Sequence, residues 1–208
     1  MEEIWKKIET WMRLHAPRIS ESLLPGATEQ EISQLESLLS VSLPEDFKAL
    51  YRLCNGQDGY ESLFERGTDL LSLDDIVLWW RILAETNADG ESDSIMSEPD
   101  LGLARFSIDC IEDEDMSEEA EAVRKVWWNS KWIPFTYDGR GNHHCLDLAP
   151  EKRGTAGQII TFWHDSYVRD VVASSITEWL EPYATSLELG KFETSEYFRG
   201  VFKVNNHM

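Results

Sequence analysis

The spacing of apolar and polar positions changes period along the chain, and each change marks an element. Near the start, Ile4, Trp5, Ile8, Trp11 and Met12 recur at i, i+1, i+4, i+7 and i+8. That spacing gathers side chains on one face of a helix, predicted here from about Glu2 to Leu14. Pro17 follows it, and Leu23-Leu24-Pro25-Gly26 reads as an extended turn. Thr28-Glu29-Gln30-Glu31 is a capping box, in which the Thr28 hydroxyl accepts from the Glu31 amide and the Glu31 side chain reaches back. Ile32, Leu35, Leu38 and Leu39 supply the stripe of the second helix. Pro44 suits a first helical position and Glu45-Asp46 suit the positive end of a third helix. Phe47, Leu50, Tyr51 and Cys54 are its predicted apolar face, and Asn55-Gly56 its stop. A mixed stretch follows, with a short strand near Leu63-Phe64. Helical spacing returns from Leu73 to about Thr86, with Ile76, Trp79, Trp80 and Leu83 on one side.

After Trp127-Trp128 the runs shorten and are cut by turns. Trp132-Ile133-Pro134-Phe135 leads into Asp138-Gly139-Arg140-Gly141-Asn142, and His144-Cys145-Leu146-Asp147-Leu148 follows. Gln158 to Trp163 is a third strand and Val168 to Ala173 a fourth. Short runs separated by Gly-rich turns predict an antiparallel meander. Ser175-x-x-Glu178 is a second capping box, and Ile176, Trp179, Leu180 and Tyr183 drive a closing helix. Lys191 to Val204 adds an edge strand or docked tail. The expected fold is therefore α+β: one domain, with N-terminal helices and a C-terminal helix packed on one face of a mostly antiparallel sheet.

Charge alters this picture in one region. The 208 residues carry a formal net charge of −20. From Glu85 to Glu121 there are fourteen acids and one basic residue, Arg105. This stretch reads as an acidic insertion, broken by a short apolar piece at Leu101 to Ile111, within a single domain spanning 1–208. Repulsion from phosphates argues against direct nucleic-acid binding and against anionic membranes. Complementary fields favour a basic protein partner. No run of eighteen apolar residues suggests a membrane span, and the first residues lack a signal-peptide core. Cys54, Cys110 and Cys145 are odd in number and widely spaced, which fits free thiols. The expected location is the cytoplasm.

These residues carry a family resemblance. LLPGATEQEISQLESLLSVSLPEDFKALYRLCNGQ resembles the opening of the Smi/Knr-type domain of the SUKH superfamily. WIPFTYDGRGNHHCLDLAP followed by GQIITFWHD is similar to its paired central strands, and VVASSITEWLE to its closing helix. The likeness runs from about Trp5 to Leu189 and does not include the acidic stretch. It implies a SUKH-like fold and protein binding without catalysis. Bacterial members are regarded as immunity proteins that neutralise toxins, often nucleases. The fungal namesakes regulate cell-wall glucan synthesis through protein contacts. The first expectation is an immunity protein that neutralises a basic, nuclease-type toxin domain. One alternative is a regulatory scaffold like the fungal namesakes, and another is a metal- or Cys-dependent hydrolase using His143, His144, Cys145 and His164, which would need a bound metal or a low-pKa thiol.

Candidate chemistry is sparse. His143, His144, Cys145 and Asp147, with His164 later, are the one cluster of ligand types. Strand alternation puts His143 and Cys145 on one face and His144 with Leu146 on the other, a poor tetrahedral set. Cys145 in mid-strand lacks the helix N-terminus or basic neighbour that activates a thiol. Asp138 to Asn142 lacks the spaced acids of a calcium loop and reads as a tight turn. No cofactor, metal or catalytic residue is therefore assigned. For partner contact the residues singled out are Asp113, Glu114 and Asp115 of the insertion, with Asp138 and Trp163.

Overall fold

The computed structural model describes residues 1–59, 61–88, 122–194 and 200–204. Helix α1, Glu2–His15, buries Trp5, Ile8, Trp11 and Met12, as its spacing requires. Pro17 does more than end it. Pro17 occupies the first position of a new helix, α2, Pro17–Ser22, which buries Ile19. Six residues are too few to show a helical period, so pattern reading passes over α2. Strand β1, Leu23–Pro25, leads to α3, Glu29–Leu39, whose capping box forms with both of its hydrogen bonds. Ile32, Leu35 and Leu39 are buried, but Leu38 is 58% exposed, so the stripe on α3 is narrower than its spacing suggests.

Helix α4 spans Glu45–Leu53 and stops at Cys54. Cys54 is not on the helix. It starts strand β2, Cys54–Gln57, which pairs antiparallel with β1. Gly56 has φ 82°, and a Cβ there would meet the Ser72 backbone nitrogen at 2.4 Å. Only glycine fits that crossing. A tight hairpin, β3 Ser62–Glu65 and β4 Asp69–Leu70, precedes α5, Leu73–Ala88. Ser72 caps α5: its hydroxyl accepts from the Asp75 amide and donates to the Asp75 carboxylate.

The main sheet has the order β5-β7-β8-β9, from Trp132–Pro134, His143–Asp147, Gln158–Phe162 and Val171–Ala173. All its pairs are antiparallel. Strand β6, Thr136–Tyr137, pairs with β4. After α6, Ile176–Glu188, strand β10, Phe192–Thr194, pairs antiparallel with β11, Gly200–Lys203, and β11 runs parallel to β3. Ser175 caps α6 through the Glu178 amide, while the Glu178 carboxylate takes the Ser174 hydroxyl.

Both faces of the main sheet are covered, not one. Ile133, Leu146 and Ile159 join the helices α1, α3, α4 and α6 in the larger core. On the other face Trp132, Cys145, Ile160 and Phe162 meet Leu83 of α5 together with Val123 and Trp128. The strands are short apolar runs such as Gln158-Ile159-Ile160-Thr161-Phe162, buried throughout, as a two-sided sheet demands.

Candidate functional site

Along β7 and β8 the cross-strand pair Leu146–Ile159 is followed on the same face by His144–Thr161. The apolar pair lies in the core. The polar pair contributes to an open cleft of about 640 Å³, a volume typical of binding sites. Helix α6 lines it with Trp179, Pro182, Tyr183 and Ser186. The β3–β4 hairpin adds Phe64, Glu65, Arg66 and Thr68, and β10 and β11 add Phe192 and Lys203. The β6–β7 region supplies Thr136, Asp138, Arg140, Asn142 and His143, and Trp163 and Val172 complete the lining.

The histidines, Asp138 and Tyr183 of the cleft are tied down by their neighbours. The Thr136 hydroxyl accepts from the His144 amide at 2.8 Å and lies 3.0 Å from His144 Nδ1. With its one proton given to Nδ1, that hydroxyl leaves the ring proton on Nε2. The ring packs against Trp179 at 5.1 Å. Burial, then the neighbouring His143, pull the pKa of His144 down to about 4, so it stays neutral at pH 7. His143 points to the other face, among Trp79, Tyr137 and Phe162. Its Nδ1 donates to the Thr136 carbonyl at 2.7 Å, and burial pulls its pKa to about 4. Tyr183 donates to the Leu63 carbonyl, which fastens α6 to β3.

Trp163 and Asp138, singled out from the sequence, both line the cleft. Trp163 is 36% exposed. Asp138 has a local task, because its carboxylate accepts from the Arg140 and Asn142 amides and the Asn142 side chain. Burial pushes its carboxyl up, but these hydrogen bonds outweigh it and the net shift is downward. Asp113, Glu114 and Asp115 lie outside the described residues. The histidine and cysteine cluster is not brought together. Cys145 is fully buried on the Trp128 side, where burial holds its thiol well above the usual range. His164 sits at the surface, bonded to Asn142. Among the described residues no group of three or more His, Cys, Asp or Glu side chains could hold a metal ion.

Sequence reasoning passes over Arg66, Arg140 and Pro182. Pro182 stands inside α6, where it removes the donor for the Glu178 carbonyl. A proline inside an otherwise periodic helix was a legible sign of a special wall. Arg66 and Gly67 are consecutive left-handed residues, with φ 63° and 75°. Asn-Gly or Gly-Gly meets that requirement at least cost, so an arginine there stands out only once its backbone is known.

Residues 26–181 match the SMI1/KNR4 family (SUKH-1). This chain belongs to that family. The chain is 30% identical to the cell wall assembly regulator SMI1 of Saccharomyces cerevisiae, over 94% of this chain and 43% of that protein. It is 27% identical to the glucan synthesis regulatory protein of Neurospora crassa, over 92% of this chain and 39% of that protein. It is 28% identical to the cell wall biosynthesis/cell cycle regulator smi1 of Schizosaccharomyces pombe, over 94% of this chain and 38% of that protein. The chain thus spans about two-fifths of the length of these relatives. Among the described residues no helix is long and apolar enough to cross a membrane.

Proposed function

We propose that this SMI1/KNR4 chain is a protein-binding regulatory scaffold without catalytic activity; the regulatory part follows its relatives' names, which call them regulators. The observation that carries the reading is the chemistry of the cleft. It offers aromatic surface and hydrogen-bonding groups, while its two histidines are neutral and its aspartate is committed to its own turn. Such a lining suits recognition, because aromatic side chains bury large area at low entropy cost. The regulatory part of the reading is supported by relatives named as regulators of cell wall assembly and glucan synthesis. These names favour regulation over toxin neutralisation.

A second reading, neutralisation of a basic toxin domain in the cytoplasm, keeps one observation in its favour, the net charge of −20. On that reading Asp113, Glu114 and Asp115, in an acidic insertion within the single domain, would join Asp138 and Trp163 at the contact. Association should then slow steeply as salt is raised. Affinity purification of the full chain from its host, with mass spectrometry of what co-purifies, separates the two. Recovery of a cell-wall or signalling protein supports the regulatory reading. Recovery of a basic toxin-like protein replaces it with the second, and an empty lane counts against both.

A further inference from the structure

Strand pairing brings two arginines to one rim of the cleft. Asp69 pairs with Tyr137 and Leu70 with Thr136, in antiparallel register. The β3–β4 turn before Asp69 and the β6–β7 turn after Tyr137 therefore leave the sheet at the same end. Arg66 sits in the first turn and Arg140 in the second, both exposed and both lining the cleft. Neither guanidinium makes an ion pair among the described residues. The third cation of the lining, Lys203, is bonded to Glu65 at 3.0 Å. The other acid of the lining, Asp138, is held by Asn142 and the backbone of its turn. In a protein of net charge −20, the unspent charge of this cleft is thus positive.

Two further observations favour a built feature over chance. Arg66 is placed in the left-handed region, φ 63°, at some steric cost, and such outliers concentrate where the side chain has a task. Beyond the rim, Trp163 and Val172 line the cleft while 36% and 45% exposed, and Tyr167, on the loop between them, is 55% exposed. That loop is held from beneath by Arg169, whose guanidinium donates to the Trp163, Ser166 and Val168 carbonyls. Arg169 is 5% exposed and stacks 4.3 Å over Phe162. A buried cation that no carboxylate among the described residues contacts is costly, and what it secures is a fixed display of exposed apolar side chains. Rigid display lowers the entropy lost on binding.

We propose that the cleft binds an extended acidic peptide segment of a partner protein, with carboxylates on Arg66 and Arg140 and an aromatic or aliphatic side chain against Trp163 and Trp179. This rests on the protein-binding reading above and specifies the partner's chemistry. Opposite charge at the rim sets which segment is accepted, and the aromatic lining supplies burial. The His144 Nε2 proton is a donor for a backbone carbonyl of the segment.

The test is fluorescence anisotropy on the full chain with two labelled peptides that share the same phenylalanine and leucine positions. One carries glutamate at every other position and the other carries lysine. The glutamate peptide should bind and the lysine peptide should not. The double variant R66E/R140E should bind the glutamate peptide at least about tenfold more weakly, a loss of about 1.4 kcal/mol. R66K/R140K should retain most of the affinity, and unchanged circular dichroism controls for folding. Equal binding of both peptides, no binding of either, or an unaffected R66E/R140E variant overturns the proposal. So does equal displacement of the peptide by inorganic phosphate at matched charge, which would mark a simple anion site. The same variant in host affinity purification separates the two levels of argument. If it captures the partners of the unaltered chain, the cleft assignment fails and the protein-binding reading stands. If the unaltered chain captures nothing, that reading fails first.

Discussion

Arg169 shows how single residues hold this surface in shape. Its guanidinium donates to four backbone carbonyls, three in the loop before β9 and that of Trp127. Burial pulls its pKa down to about 10, so it remains charged at neutral pH. We expect Arg169→Met to lose about 3 kcal/mol in urea unfolding, because four part-buried carbonyls lose their donor at once and the stack on Phe162 is lost. Arg169→Lys should recover less than half, since one ammonium cannot reach the fork of acceptors. Equal stability of the two variants would contradict this account. At Pro182 the expectation reverses. Pro182→Ala restores a helical N–H for the Glu178 carbonyl and should raise stability by about 1–3 kcal/mol, read as a higher urea midpoint. None of these effects depends on the partner.

At the scale of elements, α6 and β7 carry the testable energetics. The Ser175 hydroxyl accepts from the Glu178 amide at the start of α6. Ser175→Ala should cost about 1 kcal/mol, measured by thermal unfolding. On β7, His143 and His144 are both held neutral, with pKa values pulled from 6.5 to about 4 chiefly by burial. For a base whose folded pKa lies below its unfolded one, the unfolded chain binds more protons between the two values. Stability therefore rises with pH there, and is lost as pH falls from 6.5 towards 4. Each histidine contributes up to about 3 kcal/mol to that loss. Unfolding midpoints measured across pH 4 to 7 should fall on the acidic side, and the drop should be smaller in His143→Gln. A flat profile would mean that neither ring is buried as described.

For the whole molecule, the excess of acids sets the response to salt. Like charges repel more in the compact state than in the unfolded chain, and salt screens exposed charges over about 10 Å at 0.1 M. The melting temperature should rise between low and moderate sodium chloride in the absence of any partner, and a fall would show that attractive surface pairs dominate. The pairs among the described residues lie at the surface, such as Lys7 with Glu188 and Arg52 with Glu29 and Glu45, and pairs of this kind contribute little. The cleft should behave in the opposite sense: an acidic ligand on Arg66 and Arg140 is weakened by the same salt that steadies the fold.

How much of this was legible in the sequence depends on the range of the interaction. Apolar spacing, the Thr28 box and the Ser175 cap act within a few residues, so α1, α3, α4, α5, α6 and the meander could be read from residue order alone, whereas the predicted Asn55-Gly56 stop lies inside β2 and α4 ends on an extended Cys54. So could the family, because its motifs recur in order along the chain. Trp163 and Asp138 were legible as candidates, one as an aromatic free of helical spacing and one as a turn residue. The pairing of β4 with β6, the parallel meeting of β11 with β3, and the covering of both sheet faces are long-range choices. They depend on which apolar faces fill one another, which no local pattern encodes. The same holds for Arg66 and Arg140. Residue order places them in separate turns, and only the register between β4 and β6 sets them on one rim, where their charge can act together.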